Sequence, residues 1–417
     1  MRNKIPPYDT PQITSLFPRS NPVKEIVIAS AVRTPIANFG GSLKGFSAAE
    51  LGALAAGEAI RRAGLTPQQI DEGIFGSARQ AGLGPNLARQ ITWRCGVPED
   101  KTAYTINKAC GSGMKAVTLA AQSIQTGEND IVLAGGVEAM SQIPYLLMEA
   151  RWGYRLGDGT LIDANYRDGY NCPLCDMVMG ETVDRMAEEY QISRQMQDAF
   201  AAESHRRAVV AQESGVFADE ITPISIPQRK KDPIILSADE RPRSDSTAEK
   251  LAKLKPVFRP QDEGGTITAA NASGITDGAA ALVLMSAEKA NQLGIQPLAV
   301  LAGHASAGVA PARMGIAPVP AMRKLLQQTG TRLEDLDLIE LNEAFSAQAI
   351  MVDQEMGWDP EKRNVHGGAV ALGHPTGCTG ARIIVSLLHA MRQRDVHNGA
   401  ATLCISGGLG MSVLVKR

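Results

Sequence analysis

The chain has 417 residues, with 42 Lys plus Arg against 44 Asp plus Glu and a formal charge of -2. A chain of this length exceeds what one hydrophobic core serves and calls for two or three packed units, and the balanced charge leaves no global field to recruit nucleic acid or an anionic membrane. The six cysteines are few and irregularly spaced, which speaks against a secreted disulfide framework and for a reducing, cytoplasmic setting.

Residues 1–22 carry Pro6, Pro7, Pro11, Pro18 and Pro22 and no continuous apolar run, so they read as a mobile arm and not as a signal peptide or anchor. No later stretch approaches the roughly 20 apolar residues of a membrane span, and a soluble protein is expected. From Glu25 onward short apolar runs alternate with helical periods, which is α/β grammar. Ile26-Val27-Ile28 predicts a buried strand and the alanine-rich stretch from Ala48 to Ala63 a helix.

Asn107-Lys108-Ala109-Cys110-Gly111-Ser112-Gly113-Met114-Lys115 comes next, with Met114, Val117, Ala121 and Ile124 at helical spacing. This places Cys110 at a helix N-terminus, where free N–H groups and the dipole favour a thiolate over the ordinary thiol value of about 8.5. An inert buried cysteine is the plain alternative. A dinucleotide fingerprint, Gly111-x-Gly113-x-x-Ala116, is another, weakened by the poor strand before it.

Ile131-Val132-Leu133 predicts a strand ending in Gly135-Gly136. Residues 140–272 are richer in charge, tyrosine and proline and read as an inserted loop region of the kind that covers a ligand. Within them, Cys172-Pro173-Leu174-Cys175 has half the spacing of a zinc or redox site, but no second pair stands near it and no metal is expected. Strands are also predicted at Leu282–Leu284, Leu338–Leu341 and Thr402–Ile405, in mixed or mostly parallel sheets. The layout from Gly111 to Gly136 recurs from Gly377 to Gly408, which suggests a duplicated half, each with its own sheet.

Three further segments could carry chemistry. Asn342-Glu343-Ala344-Phe345 follows a strand, at the position where open α/β sheets hold ligands. The loop from Asn364 to Gly377 carries His366 and His374 among glycines, and His374, held extended before Pro375, could serve as a general base toward a cysteine. Cys404 precedes the turn Ser406-Gly407-Gly408, whose N–H groups could form an oxyanion hole. Taken alone, His374 reads more readily as a surface or hydrogen-bonded residue and Cys404 as a packed core cysteine.

In this order, and with Ala134 to Ser141, Gly265 to Gly278 and Met314 to Pro318, these segments resemble the thiolase family over nearly all of residues 23 to 417. The resemblance implies two similar α/β halves in a layered α-β-α-β-α arrangement, with residues 23–139 plus 273–296 and 297–417 as the halves and 140–272 as the insertion. It implies a reversible thioester Claisen condensation, two acetyl-CoA giving acetoacetyl-CoA and CoA, with these thioesters as substrates and no cofactor. Cys110 is then the acylated nucleophile, His374 its base, Cys404 the acid/base cysteine, and Asn342 the holder of a water at the thioester oxygen. The N–H groups of Cys110 and Ser406 would hold the tetrahedral oxyanion. Arg243, Ser273, Met179, Met314 and the Ala344-Phe345 segment would meet coenzyme A. The stretch from Gly153 to Asp163 resembles the loop by which biosynthetic members form tetramers, which implies a dimer of dimers.

The sequence departs from the family at three places. Val178 stands where many biosynthetic members have histidine, leaving chain-length preference open. Ser406 replaces a glycine and would be strained if that position needs positive φ, and His366 replaces a frequent asparagine, outside direct contact with substrate. Cys378, close to His374 in sequence, reads as structural. The rival readings are a degradative thiolase of longer chains, a decarboxylating ketosynthase, which Cys404 fits poorly, and an inactive acyl-CoA binding protein.

Overall fold

The computed structural model describes residues 24–417; the arm expected over residues 1–22 lies outside them. The first half comprises β1 (Ile26–Arg33), α1 (Ala48–Arg62), β2 (Glu72–Gly76), β3 (Thr102–Ile106), α2 (Ser112–Thr126), β4 (Ile131–Ala139) and, after the insertion, β5 (Thr276–Ser286). The insertion contributes helices α3 (Met179–Glu189) and α4 (Arg194–Glu213). The second half runs β6 (Ala299–Gly308), α5 (Pro318–Thr329), β7 (Leu338–Leu341), α6 (Ser346–Met356), α7 (Thr376–Arg394), β8 (Asn398–Ile405) and β9 (Leu409–Lys416).

Local signals place these elements well. Ser47 caps α1 reciprocally: its Oγ accepts the Glu50 N–H at 3.2 Å while Glu50 Oε2 accepts the Ser47 N–H at 2.8 Å, so two of the otherwise orphaned donors at a helix start are satisfied. β4 extends through Gly135-Gly136 to Ala139, beyond its predicted end, because pairing with β5 continues to Ala139 opposite Asp277. The insertion is not only loop, since α3 and α4 lie within it.

The strands run in the order β7-β8-β9-β6-β1-β5-β4-β2-β3. The first half reads β1-β5-β4-β2 with antiparallel, antiparallel and parallel pairings. The second reads β6-β9-β8-β7 with the same sequence of pairings. This is the duplication in topological form. The equivalent strands β1 and β6 pair antiparallel at Val27 with Val300 and Ile28 with Ala299, so an approximate two-fold relates the halves. The sheets expected to be separate are joined edge to edge at this short junction.

Strand alternation then sorts side chains into layers. On β5, Ala280, Leu282 and Leu284 face a central core that contains α2 and α7, whereas Ala279, Ala281, Val283 and Met285 face an outer core under α1. Leu403 and Val413 point to the same central core from the second half, and a third core holds α5 and α6 against Ile339, Ala400 and Leu414. The order is helix, sheet, paired central helices, sheet, helix. The central helices approach closely because both are glycine at the crossing. A Cβ on Gly113 would lie 2.8 Å from Ala381 N, and one on Gly380 would lie 2.4 Å from Met114 N.

The insertion is tied to the first half by a buried ion cluster. Arg33 Nε meets Glu220 Oε1 at 2.6 Å and Nη1 meets Asp239 Oδ1 at 2.7 Å, with no exposure of the arginine side chain. Removing one partner of such a set leaves a buried charge unpaired, typically a loss of about 3–5 kcal/mol.

Candidate active site

Cys110 sits just ahead of α2, with Gly111 as the helix cap. The turn that presents it is strained: Ala109 has φ 46°, in the left-handed region, at a cost of about 1–3 kcal/mol for a side-chain-bearing residue. Asn107 Oδ1 holds that turn by accepting the Ala109 N–H at 2.9 Å. The backbone N–H groups of Ser406 and of Cys110 itself both face the Cys110 sulfur, and the thiol is buried. The end of β8 closes the arrangement, since a Cβ on Gly111 would strike Ile405 Cδ1 at 2.4 Å.

The expected lowering of the Cys110 thiol is not found. Burial pushes it up, and the nearby Arg79 charge and the two N–H groups only partly offset this. The helix terminus acts as expected, but desolvation of a thiolate outweighs it. Cys404 is buried too, with its thiol held well above the ordinary value by burial and then by the neighbouring Cys110. The two sulfurs therefore share one low-dielectric site, and both rest as thiols.

His374 is brought to this region by a hydrogen bond from its N–H to Gly274 O at 3.0 Å. Burial, then the charges of Arg79 and Arg382, push its imidazole down to about 3, so it is neutral. Its Nδ1 lies 2.7 Å from Thr379 Oγ1, and that hydroxyl lies 3.0 Å from Pro375 O. A hydroxyl has one proton to donate. Both contacts are hydrogen bonds only if Thr379 donates to Pro375 and Nδ1–H donates to Thr379, which leaves the lone pair on Nε2. His374 Nε2 is buried and makes no hydrogen bond among the described residues.

Asn342 is fully buried, and neither its Oδ1 nor its Nδ2 has a partner among the described residues. Its backbone N–H donates to Thr402 O at 3.0 Å, which fixes it beside β8, the strand that carries Cys404. The following Glu343 is structural, accepting Ser204 Oγ and Asn364 Nδ2 at 2.7 Å each and the Val370 N–H at 3.1 Å. Buried polar atoms are nearly always paired. The unpaired amide of Asn342 and the free Nε2 of His374 are the atoms a polar ligand would meet.

Residues not singled out from sequence complete the site. The Glu138 carboxylate, at the end of β4, accepts Ser77 Oγ at 3.1 Å, Ala78 N–H at 3.0 Å, Thr376 Oγ1 at 2.9 Å and Gly377 N–H at 2.8 Å. It thereby caps α7 with an anion and pins the His374 loop of one half to the other. Arg79 hydrogen-bonds Thr376, lies 4.0 Å from Glu138 and stacks on Tyr170 at 4.8 Å. Glu138 stands in the segment Ala134 to Ser141, and Thr379 lies on the first turn after His374; either could have been found, whereas Arg79 and Tyr170 have no local signal.

The remaining candidates divide. Ser273 donates its N–H to Ala344 O at 3.0 Å, and Ala272 bridges Phe345, so these segments meet. Phe345 packs edge-on to Phe258 at 5.9 Å, and Met314 and Met179 join the same apolar cluster, Met179 only half-buried. Arg243 is exposed and lines a groove of about 530 Å³ with Arg206, Ser244, Ser246 and Thr247. Ser406 escapes strain because positive φ falls on Gly407 and Gly408 instead. His366 packs edge-on to Phe217 at 6.1 Å, and Cys378 lies in the central core. Among the described residues no cluster of three or more metal-ligating side chains occurs, and no helix is long and apolar enough to cross a membrane.

Two family models match the chain: "Thiolase, N-terminal domain" over residues 26–288 and "Thiolase, C-terminal domain" over 295–417. A protein of Escherichia coli K12 named acetyl-CoA acetyltransferase is 52% identical over 396 residues, covering 95% of this chain and all of its own. One of that name from Syntrophomonas wolfei is 50% identical over 397 residues, 94% of this chain and 99% of its own. The crystal structure of the Bacillus anthracis acetyl-CoA acetyltransferase superposes with a TM-score of 0.92 at 48% identity, over 95% of this chain and 100% of that one.

Proposed function

The chain belongs to the thiolase family, and from that premise we propose that it condenses two acetyl-CoA to acetoacetyl-CoA and CoA, and runs the reverse thiolysis, by a ping-pong acyl-cysteine mechanism. The observation that carries this reading is the shared buried site of Cys110 and Cys404, with two N–H groups at the Cys110 sulfur. As that sulfur attacks the thioester carbonyl, His374 Nε2 takes its proton and the N–H groups of Cys110 and Ser406 hold the oxyanion. Cys404, resting as a thiol, protonates the departing CoA sulfur and becomes the thiolate that removes an α-proton from the second acetyl-CoA. The resulting enolate is held by His374 and by a water on Asn342, attacks the acetyl-cysteine carbonyl and releases acetoacetyl-CoA. Coenzyme A lies along Met179, Met314, Ser273 and the Ala344-Phe345 segment, with its phosphates toward Arg243. No cofactor is needed.

The relatives' printed names support the acetyl substrate. The apolar, half-buried Val178 supports a second reading, thiolysis of longer 3-oxoacyl chains. Thiolysis of acetoacetyl-CoA and 3-oxooctanoyl-CoA, on the intact protein and on Cys110→Ala, separates them. Preference for the shorter substrate, abolished in the variant, supports the first; equal or better use of the longer supports the second; no turnover of either refutes both.

A homotetramer belongs to the same proposal. Edge strand β3 has Glu72 opposite its first residue and Lys108 two residues past its last, so antiparallel pairing with a second copy would bring acid against base. The segment after β4 exposes Trp152 at 83% and Leu156 at 100%, an apolar face suited to a second contact. Light scattering that gives a monomer would remove this part of the reading. The reaction needs Cys110 and Cys404 as free thiols, which supports a cytoplasmic setting.

A further inference from the structure

Cys172 and Cys175 take no part in the proposed reaction, yet the fold sets them face to face. Residues 171–178 form a β-hairpin in which Asn171 pairs with Val178 and Cys172 with Met177. Its turn is closed by the Cys175 N–H donating to Cys172 O at 3.4 Å, and Asp176 follows in the left-handed region at φ 51°. A β-turn holds the Cα atoms of its first and fourth residues within about 7 Å, and a disulfide spans Cα separations of about 4.4–6.8 Å. The two thiols are close enough for Cys172 to raise the Cys175 thiol, so the side chains are neighbours across the turn. Cys172 is buried and Cys175 half-buried, which leaves one sulfur open to solvent and the other behind it.

We propose that Cys172 and Cys175 form a reversible disulfide, a redox modification site separate from Cys110 and Cys404. The oxidant is a low-molecular-weight disulfide. Cys175 gives its proton to solvent and attacks one oxidant sulfur, forming a mixed disulfide and expelling one thiolate. Cys172 loses its proton and attacks the Cys175 sulfur, forming the protein disulfide and expelling the second. Two electrons and two protons leave the protein, and the oxidant becomes two thiols. Desolvation and the neighbouring thiol hold Cys175 above its ordinary value, so it rests protonated and its thiolate fraction limits the rate of the first attack.

The hairpin is placed to transmit the change. At its tip Leu174 Cδ1 lies 3.5 Å from where a Gly407 Cβ would be, next to Ser406. At its base Tyr170 stacks on Arg79, and its carbonyl accepts the Met179 N–H at 2.9 Å. Cross-linking the turn displaces Leu174 and lowers thiolysis; this consequence rests on the proposed function, whereas the disulfide does not.

The test equilibrates the full chain with glutathione buffers from reducing to oxidising, alkylates free thiols and digests with trypsin. Both cysteines fall in one peptide, Asp168 to Arg185. Expected is a fraction of this peptide that is unalkylated and lighter by two hydrogen atoms, rising with oxidation and reversed by dithiothreitol. A peptide that stays doubly alkylated, or carries only glutathione, in buffers that oxidise the same peptide made synthetically would overturn the proposal. Activity is read in parallel: oxidation lowers wild-type thiolysis several-fold while Cys175→Ser holds its reduced-state rate. Equal loss in that variant would refute the functional link and leave the disulfide to the mass measurement.

Discussion

His374 Nδ1 lies 2.7 Å from Thr379 Oγ1, whose proton is committed to Pro375 O, and this pair decides which imidazole nitrogen is basic. Thr379→Val should release the tautomer and lower kcat by about 10–100-fold with little change in KM, the usual cost of losing a partner that orients a working histidine. Thr379→Ser, which keeps the hydroxyl, should recover most of it. Steady-state kinetics on both variants decide the matter; loss in Thr379→Ser with Thr379→Val unaffected would mean that the threonine methyl, through packing, is what counts.

Cys404 and Cys110 divide the proposed reaction, and a burst experiment separates them. In Cys404→Ala, Cys110 should still take an acetyl group from acetyl-CoA, visible by mass on the intact protein. Steady-state condensation should fall by at least about a hundredfold, because no base remains for the α-carbon. A variant that neither acylates nor turns over would mean that water cannot replace the proton Cys404 gives to the departing CoA sulfur, and that acylation itself depends on it.

The chemistry-bearing residues were legible because they stand in short glycine-rich segments where helices and strands begin or end: Cys110 before α2, Asn342 after β7, His374 before α7 and Cys404 near the end of β8. Repetition of the layout also betrayed the duplicated fold. Arg79 was not legible as a site residue, and Glu138 was legible only as part of the segment Ala134 to Ser141 and not in its role, since Glu138 acts on Gly377 and Arg79 on Thr376, partners in the other half of the chain. Nor could the raised Cys110 thiol be read locally. The helix terminus is visible in sequence, whereas the burial that overrides it is made by Ile405 and the insertion. Helices α3 and α4 were obscured by the polar composition of their exposed faces.

Gly113 and Gly380 are where the two halves touch backbone to backbone. A methyl at Gly113 would sit 2.8 Å from Ala381 N and 2.9 Å from Gly377 O, atoms fixed within α7. Gly113→Ala should destabilise by about 1–3 kcal/mol, the ordinary range for overpacking, or prevent soluble expression. It should also depress activity in whatever protein folds, because spreading α2 from α7 moves Cys110 relative to His374. Denaturant melts and specific activity of the purified variant test this, and wild-type values for both would show that the helices can separate without consequence.

Glu340 makes the pH dependence of stability specific. Burial first, with Glu220 and Glu343 adding to it against the Arg382 charge, raises its carboxyl to about 8. Arg382 Nη1 is 3.6 Å away, and both groups are almost wholly buried. The folded value lies above the unfolded one near 4.5, so folding takes up a proton throughout the interval between them. The stabilisation from holding that proton is complete below about pH 4.5 and is lost as pH rises through 8. Glu340→Gln mimics the protonated form at every pH. Relative to wild type it should gain stability by about 1.4 kcal/mol per pH unit across this interval and level off above it. Chemical denaturation of both proteins at pH 5, 6.5 and 8 measures the difference directly. A constant offset would mean that Glu340 is ionised in the fold and that its pairing with Arg382 outweighs desolvation.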